Sequence, residues 1–320
     1  MPALRRIMRN KHVYGSLRSY VGSVATIFPL DRQKLFGRQA PLEIEIGFGT
    51  GEYLVALALR HPDRDFIGFE QCAGRIVKAL RKINLAGVTN VRLLNLDVIQ
   101  AMRYVFVPGS LQAVHCLFPC PWPKKRHAKH RLFSAAFLRL LNSRLEDRGL
   151  IKIVTDHHPY SAWIAEQLAE TGLKLEQRSI PPCYGTKFEQ KWQAAGQADF
   201  DELVLTSVRA DAVPVYQGVD VRIYYLDKLD PAQVQWKGLK GALSVQFRDF
   251  IYDPLREAGM VQAVISEDGC MQYLGIGFNL ASGRWCIRPV PGSGVLPTEG
   301  VNTALRLAFE SLQESSRSQT

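Results

Sequence analysis

Apolar positions along this chain switch between two periods. Leu42, Ile44 and Ile46 alternate with Glu43 and Glu45 and run into Gly47-Phe48-Gly49-Thr50-Gly51, which predicts a strand ending in a tight turn. From about Glu52 to Arg60 the spacing becomes helical, with Leu54, Leu57 and Ala58 on one face and Pro62 as the stop. The same exchange recurs downstream. Strands are predicted at Phe66–Glu70, Val91–Asp97, Leu111–Phe118, Leu150–Thr155, around Leu173–Gln177 and at Glu202–Val208. Helices are predicted at about Cys72–Leu85, Ile99–Phe106, Phe133–Leu145 and Tyr160–Ala169. Strands alternating with helices of this length imply right-handed crossovers and a mainly parallel seven-stranded sheet, an α/β fold. Ligands of such sheets sit beyond the carboxyl ends of the strands. Glu45 to Gly51, Glu70, Asp97, Cys120 and Asp156 all fall at those ends.

From about residue 210 the pattern changes. Val219–Tyr225, Leu243–Phe247, Val261–Ser266 and Gln272–Phe278 read as strands, Thr303–Leu312 as an amphipathic helix, and Phe250–Glu257 as a short helix broken by Pro254. These predict a small α+β domain with an antiparallel sheet. The expected organisation is a basic arm over 1–40, an α/β domain over 41–209 and the α+β domain over 210–320. In the last, Trp236, Trp285 and the tyrosines are expected in the core. That domain serves either to position a large ligand by shape or to mediate self-association.

The 320 residues carry a net charge of +10. From Arg209 to Thr320 there are 11 basic and 12 acidic residues, which leaves 29 basic against 18 acidic in the first 208. An anionic partner therefore belongs to the front of the chain. Arg5, Arg6, Arg9, Lys11 and Arg18, with Tyr14 and Tyr20, make the arm either a segment that orders on a phosphate backbone or a solvated extension. Six scattered cysteines form no Cys-x-x-Cys pair, so neither a zinc site nor a disulfide framework is expected, and the thiols suit the cytoplasm. His127, His130, His157 and His158 lack zinc spacing and read as solvated or phosphate-facing. No apolar run is long enough to span a bilayer, so no membrane partner is expected.

The densest chemistry lies in Phe118-Pro119-Cys120-Pro121-Trp122-Pro123-Lys124-Lys125-Arg126-His127. Prolines forbid both a central strand and a smooth helix start, which predicts a rigid loop with an exposed tryptophan at its tip and cations behind it. Such a loop suits a nucleobase and its phosphates. Glycines 47, 49 and 51 suit a dinucleotide, S-adenosylmethionine, or a bare turn. The dinucleotide fingerprint requires glycine at position 52, where this chain has Glu52, and a carboxylate there repels a pyrophosphate. Glu45 and Glu52 suit a ligand carrying an ammonium and a sulfonium instead. Glu70 is placed to accept from ribose hydroxyls and Asp97 from an adenine amino group, or to cap a helix.

Glu45-Ile46-Gly47-Phe48-Gly49-x-Gly51-Glu52, Ile67-Gly68-Phe69-Glu70, the proline loop with its Lys-Lys-Arg-His127, Thr155-Asp156 and Thr186-Lys187-Phe188-Glu189 resemble the bacterial tRNA (guanine-N7)-methyltransferases over roughly residues 40 to 208. The resemblance implies a Rossmann-like class I S-adenosylmethionine-dependent fold. It also implies methyl transfer to N7 of a guanine in the tRNA variable loop, position 46, without a metal. It implies contacts to S-adenosyl-L-methionine from Glu45, Gly47, Gly49, Gly51, Glu70 and Asp97. Contacts to tRNA are implied for Lys124, Asp156, Thr186, Lys187, Phe188 and Glu189. The chain departs from the family at Cys120, where the family has an aspartate held to be catalytic. The alternative expectation is therefore a weakened or inactive tRNA-binding homologue. Monomer and homodimer are both compatible with these patterns.

Overall fold

The computed structural model describes residues 16–21, 30–216, 218–231, 234–268, 270–291 and 295–317. The chain divides into two compact units, one running to Val215 and the other starting at Tyr216.

In the first unit the strands are β1 (Tyr20–Val21), β2 (Leu42–Ile46), β3 (Asp65–Phe69), β4 (Val91–Leu94), β5 (Leu111–Leu117), β6 (Leu145–Thr155), β7 (Leu173–Ile180) and β8 (Phe200–Ser207). They form one sheet in the order β1-β4-β3-β2-β5-β6-β8-β7. Only β8 runs opposite to the other strands. The expected seven strands are all present. The eighth, β1, comes from the stretch expected as an arm: Tyr20 and Val21 pair with Leu93 and Leu94, and Ser16 and Asn84 bond each other. Arg5, Arg6, Arg9, Lys11 and Tyr14 lie outside the described residues.

The helices are α1 (Arg32–Phe36), α2 (Glu52–Arg60), α3 (Ala73–Ala86), α4 (Val98–Tyr104), α5 (Ala135–Asn142), α6 (His158–Glu166) and α7 (Lys187–Ala194), with a 3₁₀ turn at Lys125–His130. The caps follow from short polar side chains that satisfy first-turn amides. Asp31 accepts from Lys34 N–H, Ser134 from Phe137 N–H and Asp97 from the amides of Ile99 and Gln100. The central strands are buried on both sides, as crossover helices require. Phe66, Leu54, Leu57, Ile76, Ala79, Ile83 and Leu93 form the core between α2, α3 and the sheet. Each leucine, isoleucine or phenylalanine among them, fully withdrawn from water, contributes about 1.5–3 kcal/mol.

The second unit has β9 (Tyr224–Leu226), β10 (Ser244–Asp253), β11 (Ala258–Glu267), β12 (Cys270–Ala281), β13 (Arg284–Pro289) and α8 (Glu299–Arg317). Its antiparallel sheet has the order β10-β11-β12-β13-β9. Val261, Ala263, Ile265, Leu274 and Ile276 face Ala304, Leu305, Ala308 and Leu312 across one side. The short helix expected at Phe250–Glu257 is instead the end of β10 and a turn, because Tyr252 and Asp253 pair with Gly259 and Ala258. Only Tyr224 and Tyr225 of the strand expected at 219–225 join the sheet. Trp285 is buried as expected, whereas Tyr225 and Tyr273 are half exposed on the opposite face. Among the described residues no helix is long and apolar enough to cross a membrane.

One buried cation ties the end of the first unit to its sheet. Arg144 is fully buried, and burial lowers its guanidinium pKa. It donates to the carbonyls of Met102 at 2.7 Å, Val213 at 2.7 Å and Pro214 at 3.1 Å. Arg144→Leu strands those acceptors, so urea unfolding is expected to show a loss of about 3 kcal/mol. Unchanged stability would mean that the 213–214 segment is held by other contacts.

Candidate active site

The strand order reverses between β2 and β5, and the candidate residues gather at the carboxyl ends on either side of that point. Glu45 pairs in register with His115 of β5 and Gly68 of β3, and Leu117 pairs with Val154 of β6. The chain therefore leaves β2 into the glycine turn, β5 into the Cys120 loop and β6 into Asp156 from adjacent strands.

Gly47, Gly49 and Gly51 have φ of 72°, 58° and 81°, a region that disfavours side chains. A Cβ at Gly51 would meet the Cβ of Ala79 at 2.9 Å, so glycine here allows α2 and α3 to approach. A Cβ at Gly47 or Gly49 would meet nothing within 4 Å, so the turn is open on its outer side. Around it stand three acids. Glu45 is 3% exposed and its Oε2 has no hydrogen-bond partner. Burial, with Glu52 and Glu70 nearby, pushes its pKa up to about 8. Glu70 accepts from Gly49 N–H at 3.1 Å and Cys72 N–H at 3.0 Å, with Arg75 at 3.4 Å. Glu52, expected with Glu45 to suit a ligand carrying an ammonium and a sulfonium, is paired with Lys82 and Thr50. Asp97 spends Oδ1 on the helix cap and receives Gln71 Nε2 on Oδ2 at 3.4 Å. An orphaned buried carboxyl atom beside an open turn fits a ligand that brings positive charge.

The proline loop is braced rather than free. Phe118 and Trp122 both have positive φ, 56° and 45°. Trp122 is half buried against the rings of His127 and His130, at centroid distances of 5.7 and 5.1 Å, and not the exposed tip expected of it. Arg131 donates to the carbonyl of Pro121 at 3.1 Å and lies over the ring of Trp163 at 5.0 Å. Cys120 and Lys124 are exposed. The Asp156 carboxylate is half buried and has no partner among the described residues.

Thr186-Lys187-Phe188-Glu189 opens α7, a helix absent from the sequence reading. Thr186 caps it by accepting from Glu189 N–H. The Glu189 carboxylate, 2% exposed, accepts from the amides of Cys183, Tyr184 and Gly185 and so clamps that loop. Phe188 stacks on Phe118 with ring centroids 6.4 Å apart, bringing the two motifs together, and Lys187 is exposed. Arg131, Tyr184 and the clamp carried no local sequence signal: Arg131 and Glu189 bond main-chain carbonyls and amides, which every residue offers, and Tyr184 bonds the carboxylate of Glu202 on β8. His157 caps α6, and His158 bonds Asp201 at 2.7 Å, which raises its pKa. Among the described residues no cluster of three or more His, Cys, Asp or Glu has the geometry to hold a metal ion.

Residues 39–202 match a protein family described as "Putative methyltransferase". The chain is 32% identical over 300 residues to a tRNA (guanine-N(7)-)-methyltransferase of Thermotoga maritima, covering 89% of this chain and 93% of that one. It is 40% identical over 168 residues to the enzyme of the same name from Chlorobium phaeobacteroides, covering 52% and 82%. Among solved structures it is similar to the 16S rRNA methyltransferase KamB, with a TM-score of 0.45, 18% identity, and coverage of 55% of this chain and 92% of that one. The first of these relatives spans nearly the whole of both chains, second unit included, and on that match the chain belongs to the tRNA (guanine-N(7)-)-methyltransferase family.

Proposed function

We infer that this chain transfers a methyl group from S-adenosylmethionine to N7 of a guanine in tRNA, at position 46 of the variable loop, working in the cytoplasm. The observation that carries the reading is the meeting of the glycine turn, the Cys120 loop and Asp156 on the adjacent ends of β2, β5 and β6. The bound donor supplies an electrophilic methyl on a cationic sulfur.

The chain's own residues supply position and field. Guanine N7 holds its lone pair in the ring plane, so no base is required to remove a proton. What accelerates attack is orientation, exclusion of water and negative charge beside the purine as it becomes cationic. Glu45 is the acid to meet the donor's positive charge, and its raised pKa means that it gives up a proton when it does so. Glu70 and Asp97 are the acids for the ribose and adenine. Both already hold backbone amides, which fixes their direction before a ligand arrives. Asp156 is the carboxylate positioned for the developing purine charge, and Cys120 occupies the site next to it. Lys124 and Lys187 are exposed cations for tRNA phosphates, and Thr186 and Glu189 act by holding the Cys183–Gly185 loop and the start of α7.

Two measurements test this. Purified protein with labelled donor and unmodified tRNA is expected to give N7-methylguanine, located by cleavage at the modified base. Asp156→Asn is expected to slow turnover about a hundredfold and Cys120→Asp to speed it by up to the same factor, the size of one preorganised electrostatic partner. No incorporation by the wild type, with Cys120→Asp active, would identify a lapsed homologue. The second concerns Glu45. Its folded pKa of about 8 lies above the ordinary 4.5, so its contribution to stability is present below about 4.5 and is lost as pH rises through about 8. Donor binding is expected to strengthen by up to about tenfold per unit between roughly pH 6 and 8, with proton release seen by calorimetry in buffers of different ionisation enthalpy. Glu45→Gln should flatten both profiles. Identical profiles in the variant would remove Glu45 from the donor site.

A further inference from the structure

A cavity of about 460 Å³ lies in the first unit on one face of the sheet, between α2 and residues of β2, β5 and β6 that include Glu43, His115 and Lys152. Its lining contains none of the candidate residues placed at the strand ends above, and its size falls within the usual range for small-ligand sites. Its floor is a buried relay. Glu43, 2% exposed, receives Arg64 on one oxygen and His115 Nε2 on the other at 2.8 Å, and His115 Nδ1 meets Tyr53 Oη at 3.1 Å. Burial pushes the Glu43 pKa up, but His115 and Arg64 more than offset this and hold the group ionised.

The lining is otherwise cationic. Arg60, Arg64, Arg148 and Lys152 face a single carboxylate, Glu43, both of whose oxygens are taken. Lys152 lies 3.9 Å from Glu202, while Arg60 and Arg148 have no carboxylate partner among the described residues. Arg148 has φ 58° within β6, where its pairing with β5 shifts register. Tyr53, Leu57 and Tyr184 provide flat or apolar wall, the two tyrosine rings meeting edge to face at 5.3 Å. Gln112 adds a buried Oε1 with no partner, an acceptor that lacks a donor.

Free arginines select an anion, and guanidinium forks suit phosphate. Aromatic walls select a ring, and the unpaired amide oxygen selects an N–H or O–H on that ring or its sugar. We propose that this cavity binds a nucleotide, through its phosphate at Arg60 and Arg148 and its base or ribose against the half-buried ring of Tyr184, which Tyr53 backs edge to face. The nucleotide is either free or part of an RNA chain. The proposal does not rest on the methyl-transfer reading. The wall nevertheless touches it, because Tyr184 belongs to the loop that Glu189 clamps.

The test uses the full chain and CMP as probe, since its base is neither the adenine nor the guanine of the proposed reaction. Calorimetry is expected to show CMP binding one equivalent, more tightly than inorganic phosphate. The double variant Arg60→Ala with Arg148→Ala removes two exposed side chains, and circular dichroism should confirm an intact fold. A free-nucleotide site predicts at least a tenfold loss of CMP affinity with tRNA affinity unchanged. A site for an RNA nucleotide predicts the same loss together with weaker tRNA binding, a salt dependence shallower by about two phosphate contacts, and competition between CMP and tRNA. CMP and tRNA affinities both within twofold of the wild type, or no CMP binding by the wild type at millimolar concentration, would overturn the proposal.

Discussion

A carboxyl group that has lost its water and gained two acidic neighbours sets the character of this site. Glu45 is held there by its strand. β2 is buried between β3 and β5, so the side chain of its penultimate residue has nowhere to go but beneath α2. Removal from water and the fields of Glu52 and Glu70 both favour the neutral acid. Arrival of a cation reverses that preference. On the proposed reading the site would select by energy and not by shape alone: a neutral or anionic ligand would leave the crowding unrelieved, and a cationic one would relieve it.

The second motif depends on the first through the sheet. Because β5 and β6 are in register with β2, the prolines of the Cys120 loop do not have to find the glycine turn; they only have to keep the chain from wandering once it leaves β5. Proline rings do part of this by fixing φ. Arg131 does the rest, since its guanidinium joins the Pro121 carbonyl to the ring of Trp163. Phe118 on Phe188 then links this loop to α7, and Glu189 links α7 to the loop carrying Tyr184. Two runs that are some sixty residues apart in the chain become one surface through one ring stack and one carboxylate.

What could be read from the sequence was whatever a local period or a glycine pattern encodes. β2, the turn after it and α2 were legible almost to the residue, because burial on both faces and the αL requirement leave few alternatives. Three features were not legible, each for a physical reason. The pairing of Tyr20 and Val21 with β4 is two residues long and has no period of its own. The helix expected at Phe250–Glu257 misled because Phe250, Ile251 and Tyr252 are apolar at consecutive positions, a run that cannot distinguish strand from helix; pairing with β11 decided it. The clamp by Glu189 binds amides, which every residue offers, so nothing in the identity of its partners marks it. Asp97 was read both as a cap and as a ligand group. Its Oδ1 caps α4, and that bond aims the other oxygen.

Cys120 is where pattern and physics pull apart. The family motif carries an acid there, and a neutral thiol places little negative charge beside a purine that is turning into a cation. On the proposed reading, the neighbouring strand end offers a reason why the substitution is tolerable. Asp156, on the neighbouring strand end, is half buried and has no partner among the described residues, so its charge is neither quenched by a cation nor fully screened by solvent. In the proposed reaction, a carboxylate so placed would act on the same developing charge from the next strand along. If field rather than proton transfer is what the reaction asks of the protein, then which of two adjacent strand ends carries the acid matters less than that one of them does. The fold keeps the ends of β5 and β6 side by side through the bond from Phe118 N–H to the Val154 carbonyl at 2.7 Å.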